Sequence, residues 1–173
     1  MTHKFSLAIE KTLSHEGGYV NDPNDPGGET NWGIAKKFYP DVDIKNLTRE
    51  GAIEIYHKDF WIPLHCEDLP ENIALEIFDT AVNTSQRRAA KILQGSLILL
   101  GNQVTLDGVI GSQTVTAVSV YPHQDALLKC MNGFQFMVYV LGAASEDEVI
   151  QMIRSRKGHV QRYLRGWLAR VEF

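Results

Sequence analysis

Three side chains within one irregular stretch have the types needed for acid–base chemistry: Glu16, Asp25 and Thr30 in "SHEGGYVNDPNDPGGETNWGI", residues 14–34. Five glycines and two prolines there rule out a helix or a central strand. Just upstream, Phe5, Ile9 and Leu13 recur at helical spacing, and Gly17 and Gly18 end that helix. Glu16 follows Leu13 by three residues and Ile9 by seven, so it shares their apolar face at the helix C-terminus. Desolvation and the negative end of the helix dipole both disfavour an ionised carboxylate there. A glutamate so placed keeps a proton to donate near neutral pH, the property of a general acid. Asp25 comes nine residues after Glu16 and Thr30 fourteen after it, on a loop that can return towards it. An acid facing a second carboxylate and a hydroxyl is an arrangement that cuts glycosidic bonds: one group protonates the leaving oxygen and the others hold or activate water. Each residue also has a plainer reading. Glu16 is then a solvent-facing helix end, Asp25 an Asp-Pro turn residue, and Thr30 the cap of a helix beginning near Trp32.

Other chemistries fit this stretch poorly. A calcium loop begun at Asp22 would place Pro26 at a ligand position and Gly33 where the terminal glutamate belongs. A phosphate loop needs glycines ahead of a helix and a lysine among them. Here the glycines follow a helix C-terminus and the stretch has no lysine. His15 and Glu16 open like a zinc-protease motif, but Tyr19 stands where the second histidine would be. Neither a metal nor a cofactor is expected.

With 173 residues the chain is long enough to bury a core without cross-links. A net charge of −4 argues against a generally basic nucleic-acid binder. Between Arg154 and Arg170 the charges are all basic, which reads as a solvated helix face or a patch for an anionic polymer. Cys66 and Cys130 show no metal-ligand spacing, and two buried free thiols are expected rather than a disulfide. The first residues lack the unbroken apolar core of a signal peptide, and the longest aliphatic run is "LILL", residues 97–100. The expectation is cytoplasmic synthesis without a leader and no membrane insertion.

The pattern is helical along nearly the whole chain. Thr2 is the expected cap of the first helix. Thr48 caps a second with Ala52, Ile55, Tyr56, Asp59 and Phe60 in one stripe, stopped by Pro63. A third starts near Pro70 with Ala74, Phe78, Ala81 and Val82 inward, and Ser85 caps a fourth. Ser112 is expected to cap a fifth, after the turn at Asp107 and Gly108. A sixth spans 124–141 on Leu127, Leu128, Met131, Phe134 and Val138. A capping box at 145–148 opens a last helix running towards Trp167. Only "GNQVTLDGVIG", residues 101–111, reads as a source of a β-ribbon. The fold expected is mostly α, a single domain with at most one small hairpin.

The stretch "EGGYVNDPNDPGGETNWGI" resembles the signature of glycoside hydrolase family 108, peptidoglycan N-acetylmuramidases of phage and prophage, some of them labelled secretion activators. The likeness continues in order through "IYHKDFW", "LPENIALEIFDTAVN", "AAKILQ", "LDGVIGSQTVTAV" and "RGWLARV". It implies a lysozyme-like fold and makes Glu16 the catalytic acid. The order Glu, Asp, Thr is also similar to that of T-even-type phage lysozymes, with the threonine one residue closer, and so implies assisting roles for Asp25 and Thr30. The later part resembles the family's wall-binding region, implying a division into a catalytic region, 1–92, and a peptidoglycan-binding region, 93–173, packed on it as one unit. "DGVIGSQT" is a turn-and-cap run of such modules. Where the family carries a glycine after "FDTAVN", this chain reads Thr84 and Ser85. Candidates to line the sugar groove are Tyr19, Asn31, Trp32, Tyr56, Trp61, Asp79 and Asn83, although each aromatic reads as readily as core. The implied partner is the glycan strand of peptidoglycan, not nucleic acid, reached through a holin or a secretion route. Lytic transglycosylase action and a non-catalytic wall-binding or secretion-accessory role are the rival readings.

Overall fold

Three helix starts fall where a hydroxyl precedes an apolar period. In the computed structural model, which describes residues 1–15, 17–21 and 27–141, helix α1 spans His3–His15, with Phe5 N–H donating to Thr2 Oγ1 at 3.4 Å. Its face of Phe5, Ala8, Ile9 and Leu13 is buried. Helix α2, Arg49–Tyr56, has Thr48 accepting from Gly51 N–H at 3.1 Å. It runs into a π-helical turn, His57–Trp61, where Ile62 N–H reaches back to the His57 carbonyl. The wider turn buries Trp61 against Phe5, ring centres 5.2 Å apart, while His57 meets the same Phe5 ring edge-on. Ala52, Ile53 and Tyr56 are the buried α2 residues; Ile55 and Phe60 of the expected stripe are only half-buried.

Between α1 and α2 the chain forms the one sheet among the described residues: β1 Thr30–Asn31 against β2 Ile34–Ala35, antiparallel, with Thr30 opposite Ala35. The ribbon was expected at 101–111, and no strand forms there. The reason is the competition for backbone groups. Within 101–111, side chains of Gln113, Asp107 and Gln94 take up the Thr105 and Val109 backbone groups that a ladder would need. At 30–35, Trp32 and Gly33 both take positive φ (52° and 76°), as the two-residue hairpin loop with matching twist requires. Nor does a helix begin near Trp32, so Thr30 is a strand residue and not a cap.

The chain divides into two units, Met1–Ile62 and Pro63–Phe173. In the second, α3 (Glu71–Asn83), α4 (Gln86–Leu99) and α6 (Gln124–Leu141) pack on one another, and α5 (Ser112–Val120) lies against α4. Pro70 precedes α3, and Ser85 caps α4 by accepting from Arg88 N–H at 3.2 Å. Gly111 occupies the cap position of α5, one residue before the expected Ser112. The core includes Ala74, Ile77, Phe78 and Ala81 of α3, Leu93 and Leu97 of α4, and Leu127, Met131 and Phe134 of α6; Val82, Leu128 and Val138 are half-buried. Cys66 and Cys130 are buried free thiols, and burial pushes the Cys130 thiol up to about 11. Among the described residues no helix is long and apolar enough to cross a membrane. The expected last helix, with its capping box, its basic run and Trp167, lies outside the described residues.

One buried amide organises the α4–α5 connection. Gln94, 1% exposed, donates through Nε2 to Asp107 Oδ1 at 2.8 Å and the Val109 carbonyl at 2.9 Å, with Thr114 Oγ1 at 3.3 Å. Its Oε1 accepts from Gly108 N–H at 2.9 Å. Gly108 has φ 77°, and a Cβ there would meet Arg87 Cγ at 2.8 Å, so no other residue fits without a shift. Asp107 is held below the usual carboxylate range, first by the Gln94 hydrogen bond. Replacing Gln94 by Leu leaves the Gly108 N–H and Val109 carbonyl without this partner. It should cost about 2 kcal/mol or more in urea unfolding; a loss under about 0.5 kcal/mol would mean that the clamp is not structural.

Candidate active site

The ribbon is tied at both ends. Upstream, Val20 exchanges both backbone bonds with Thr30, at 2.8 and 2.9 Å. In the sequence Val20 follows Glu16 by four residues, and Asp25 lies between Val20 and Thr30. Glu16 and Asp25 themselves lie outside the described residues. Thr30 is half-buried, its backbone spent on Val20 and its position paired with Ala35.

Downstream, Asn31 is 6% exposed and donates through Nδ2 to the carbonyls of Ile44 (3.0 Å) and Leu47 (3.2 Å). Trp32 Nε1–H donates to the same Leu47 carbonyl at 3.1 Å. The Trp32 carbonyl accepts from the Tyr56 hydroxyl at 3.1 Å. A bulky residue at positive φ is strained and persists only where its surroundings hold it. Here Trp32 is held on both sides, by the loop at 47 and by helix α2.

These contacts redistribute the groove candidates. Tyr56 and Trp61 are each 1% exposed, so neither ring has a face to offer a sugar. Trp61 packs against Phe5 of α1, and Tyr56 against Phe60 of the π-turn. Tyr56 is a positioning residue, its hydroxyl fixing Trp32. Asn31 is likewise consumed by the 44–47 loop. Trp32 remains half-buried, and Tyr19, at 39% exposure, is an open aromatic next to Val20. In the second unit, Asp79 and Asn83 share one face of α3 and pair with each other. Asn83 Nδ2 donates to the Asp79 carbonyl at 2.9 Å and to Oδ2 at 3.3 Å.

The sequence reading missed one electrostatic pair of the first unit. Tyr39 bonds to Asp59, and its phenol is pushed up to about 12, first by burial, then by the Asp59 charge and hydrogen bond. The signal was an acid, Asp59, in the otherwise apolar stripe expected for the second helix, in the part that forms the π-turn. No group of three or more His, Cys, Asp or Glu side chains among the described residues is placed to hold a metal.

Residues 9–84 match the family Glycosyl hydrolase 108, and residues 88–172 match the Predicted Peptidoglycan domain. The first half of the chain thus matches glycoside hydrolase family 108 and the second half a peptidoglycan-binding domain. Among solved structures it is similar to Brucella abortus SagA, at 28% identity, covering 97% of each chain with a TM-score of 0.65. No curated protein matches it. The family boundary and the packing boundary differ. Helix α3 falls within the family 108 match, yet it packs on α4 and α6 in the second unit.

The Tyr39 pair gives a pH prediction. A phenol whose folded pKa lies above its unfolded value near 10 contributes stability that is complete below pH 10 and disappears as pH rises through about 12. By NMR titration, Tyr39 should ionise near 12, and Asp59→Asn should lower that value without restoring 10, since burial is the larger cause. Ionisation near 10 in the unaltered protein would contradict the pairing.

Proposed function

We propose that the chain is a peptidoglycan N-acetylmuramidase, a lysozyme-type enzyme cutting the β-1,4 bond from N-acetylmuramic acid to N-acetylglucosamine. The observation that carries this reading is the Val20–Thr30 pairing inside the family 108 segment. It sets Thr30 beside Val20, which follows Glu16 by four residues in the sequence, and Asp25 lies between these two positions in the sequence. Glu16 donates a proton to the glycosidic oxygen as the bond to the anomeric carbon breaks. Asp25 and the Thr30 hydroxyl hold and activate the water that completes the cut. Residues 1–92 supply this catalytic region in the proposal, and residues 93–173 hold the wall polymer. Tyr19 and the Trp32 edge are the aromatic surfaces offered to sugar in the first unit. Asp79 and Asn83 are polar candidates on α3.

Synthesis in the cytoplasm, with release to the wall through a holin or a secretion route, completes the proposal. The reading does not depend on how release occurs. Purified sacculi incubated with the enzyme should clear, and Glu16→Gln should slow release of reducing ends by at least about 100-fold. A variant within about twofold of the unaltered rate would remove Glu16 from the role of acid.

A further inference from the structure

The connection between α4 and α5 does more than join two helices. With the end of α4 and the first turn of α5 it walls an open hollow of about 470 Å³. That volume lies within the ~300–1,000 Å³ range of small-ligand sites. None of its lining residues carries a charge. Asn102, Gln103, Thr105 and Gln113 present amides and a hydroxyl, and Ile98 and Leu106 present apolar surface.

Its walls are fixed by bonds that leave donors over. Asn102 bonds the Leu97 carbonyl twice, through its backbone N–H at 2.9 Å and through Nδ2 at 3.2 Å. Thr105 N–H donates to Gln113 Oε1 at 3.1 Å. The neighbours of these residues, Asp107 and Thr114, are held by the Gln94 clamp. Gln113 thus gives the described protein only its oxygen, and its NH₂ group is available to a ligand. The side-chain amide of Gln103 and the hydroxyl of Thr105 are available in the same way. A rigid wall with spare uncharged donors and acceptors lowers the ordering cost of binding a neutral polar molecule.

We propose that this hollow is a glycan subsite taking an uncharged N-acetylated hexosamine of the wall polymer. The side-chain amides match an acetamido group, which both donates and accepts, and Thr105 matches a ring hydroxyl. The apolar residues receive the acetyl methyl. A peptide stem carries carboxylates, which call for Lys or Arg, and neither lines the hollow. The choice of polymer rests on the wall-hydrolase reading; the chemistry of the hollow does not.

The test uses the full ¹⁵N-labelled chain titrated with tri-N-acetylchitotriose, and sedimentation with purified sacculi. Chitotriose should shift the side-chain amide signals of Gln103 and Gln113. Gln113→Glu keeps the oxygen that accepts from Thr105 but removes the NH₂ donors and adds a charge. It should weaken sacculus binding about tenfold, the loss of one good hydrogen bond. Gln103→Ala, at an exposed position, gives a second variant with no internal bond to lose. The proposal is overturned if chitotriose leaves both amide signals unmoved, or if both variants bind sacculi as the unaltered chain does. It is equally overturned if an uncross-linked stem tripeptide moves the signals and chitotriose does not. A chain that binds chitotriose at these amides but releases no sugar from sacculi would retain the subsite and refute the muramidase reading.

Discussion

The hairpin of the first unit depends on holding Trp32 in a backbone conformation that tryptophan disfavours. A two-residue hairpin loop demands positive φ at both positions, and only one of the two is glycine. The strain at Trp32 is of order 1–3 kcal/mol, and its surroundings offset it with the Tyr56 hydroxyl on its carbonyl and the Leu47 carbonyl on its indole. With that turn fixed, Thr30 is in register with Ala35 on one side and Val20 on the other.

The second unit solves a comparable problem by different means. Its irregular connection between α4 and α5 is held by one buried glutamine whose amide serves as both donor and acceptor. A leucine at 94 would fill the space but leave the turn without partners. Apolar packing of α3, α4 and α6 provides the rigid base. The polar clamp then chooses one geometry for the loop and leaves neighbouring side chains free to face outwards. In both units, buried hydrogen bonds to irregular backbone do what regular ladders do elsewhere.

Much of the helical framework could be read from residue types. Thr2, Thr48 and Ser85 were recognisable as caps because a hydroxyl stands just ahead of an apolar period, and each accepts the expected backbone bond. The 124–141 helix was equally plain. The ribbon was not, since two strands of two residues are too short for an alternating pattern to register. The alternation at 101–111 was misleading because its backbone partners are side chains. Aromatic type alone could not separate Tyr56 and Trp61, which are core, from Tyr19, which is open. Asn31 and the Tyr39–Asp59 pair depend on partners distant in sequence, and no local pattern encodes those. The candidate acid rests on sequence alone, a glutamate in phase with an apolar helix face and followed by two glycines, and it lies outside the described residues.

The central claim is the proposed muramidase activity. Sacculi digested in H₂¹⁸O, with the products resolved by mass spectrometry, test it most directly. The account predicts that ¹⁸O enters the new reducing end and that this end is N-acetylmuramic acid. Label on a reducing N-acetylglucosamine, or unlabelled 1,6-anhydro ends, would contradict it.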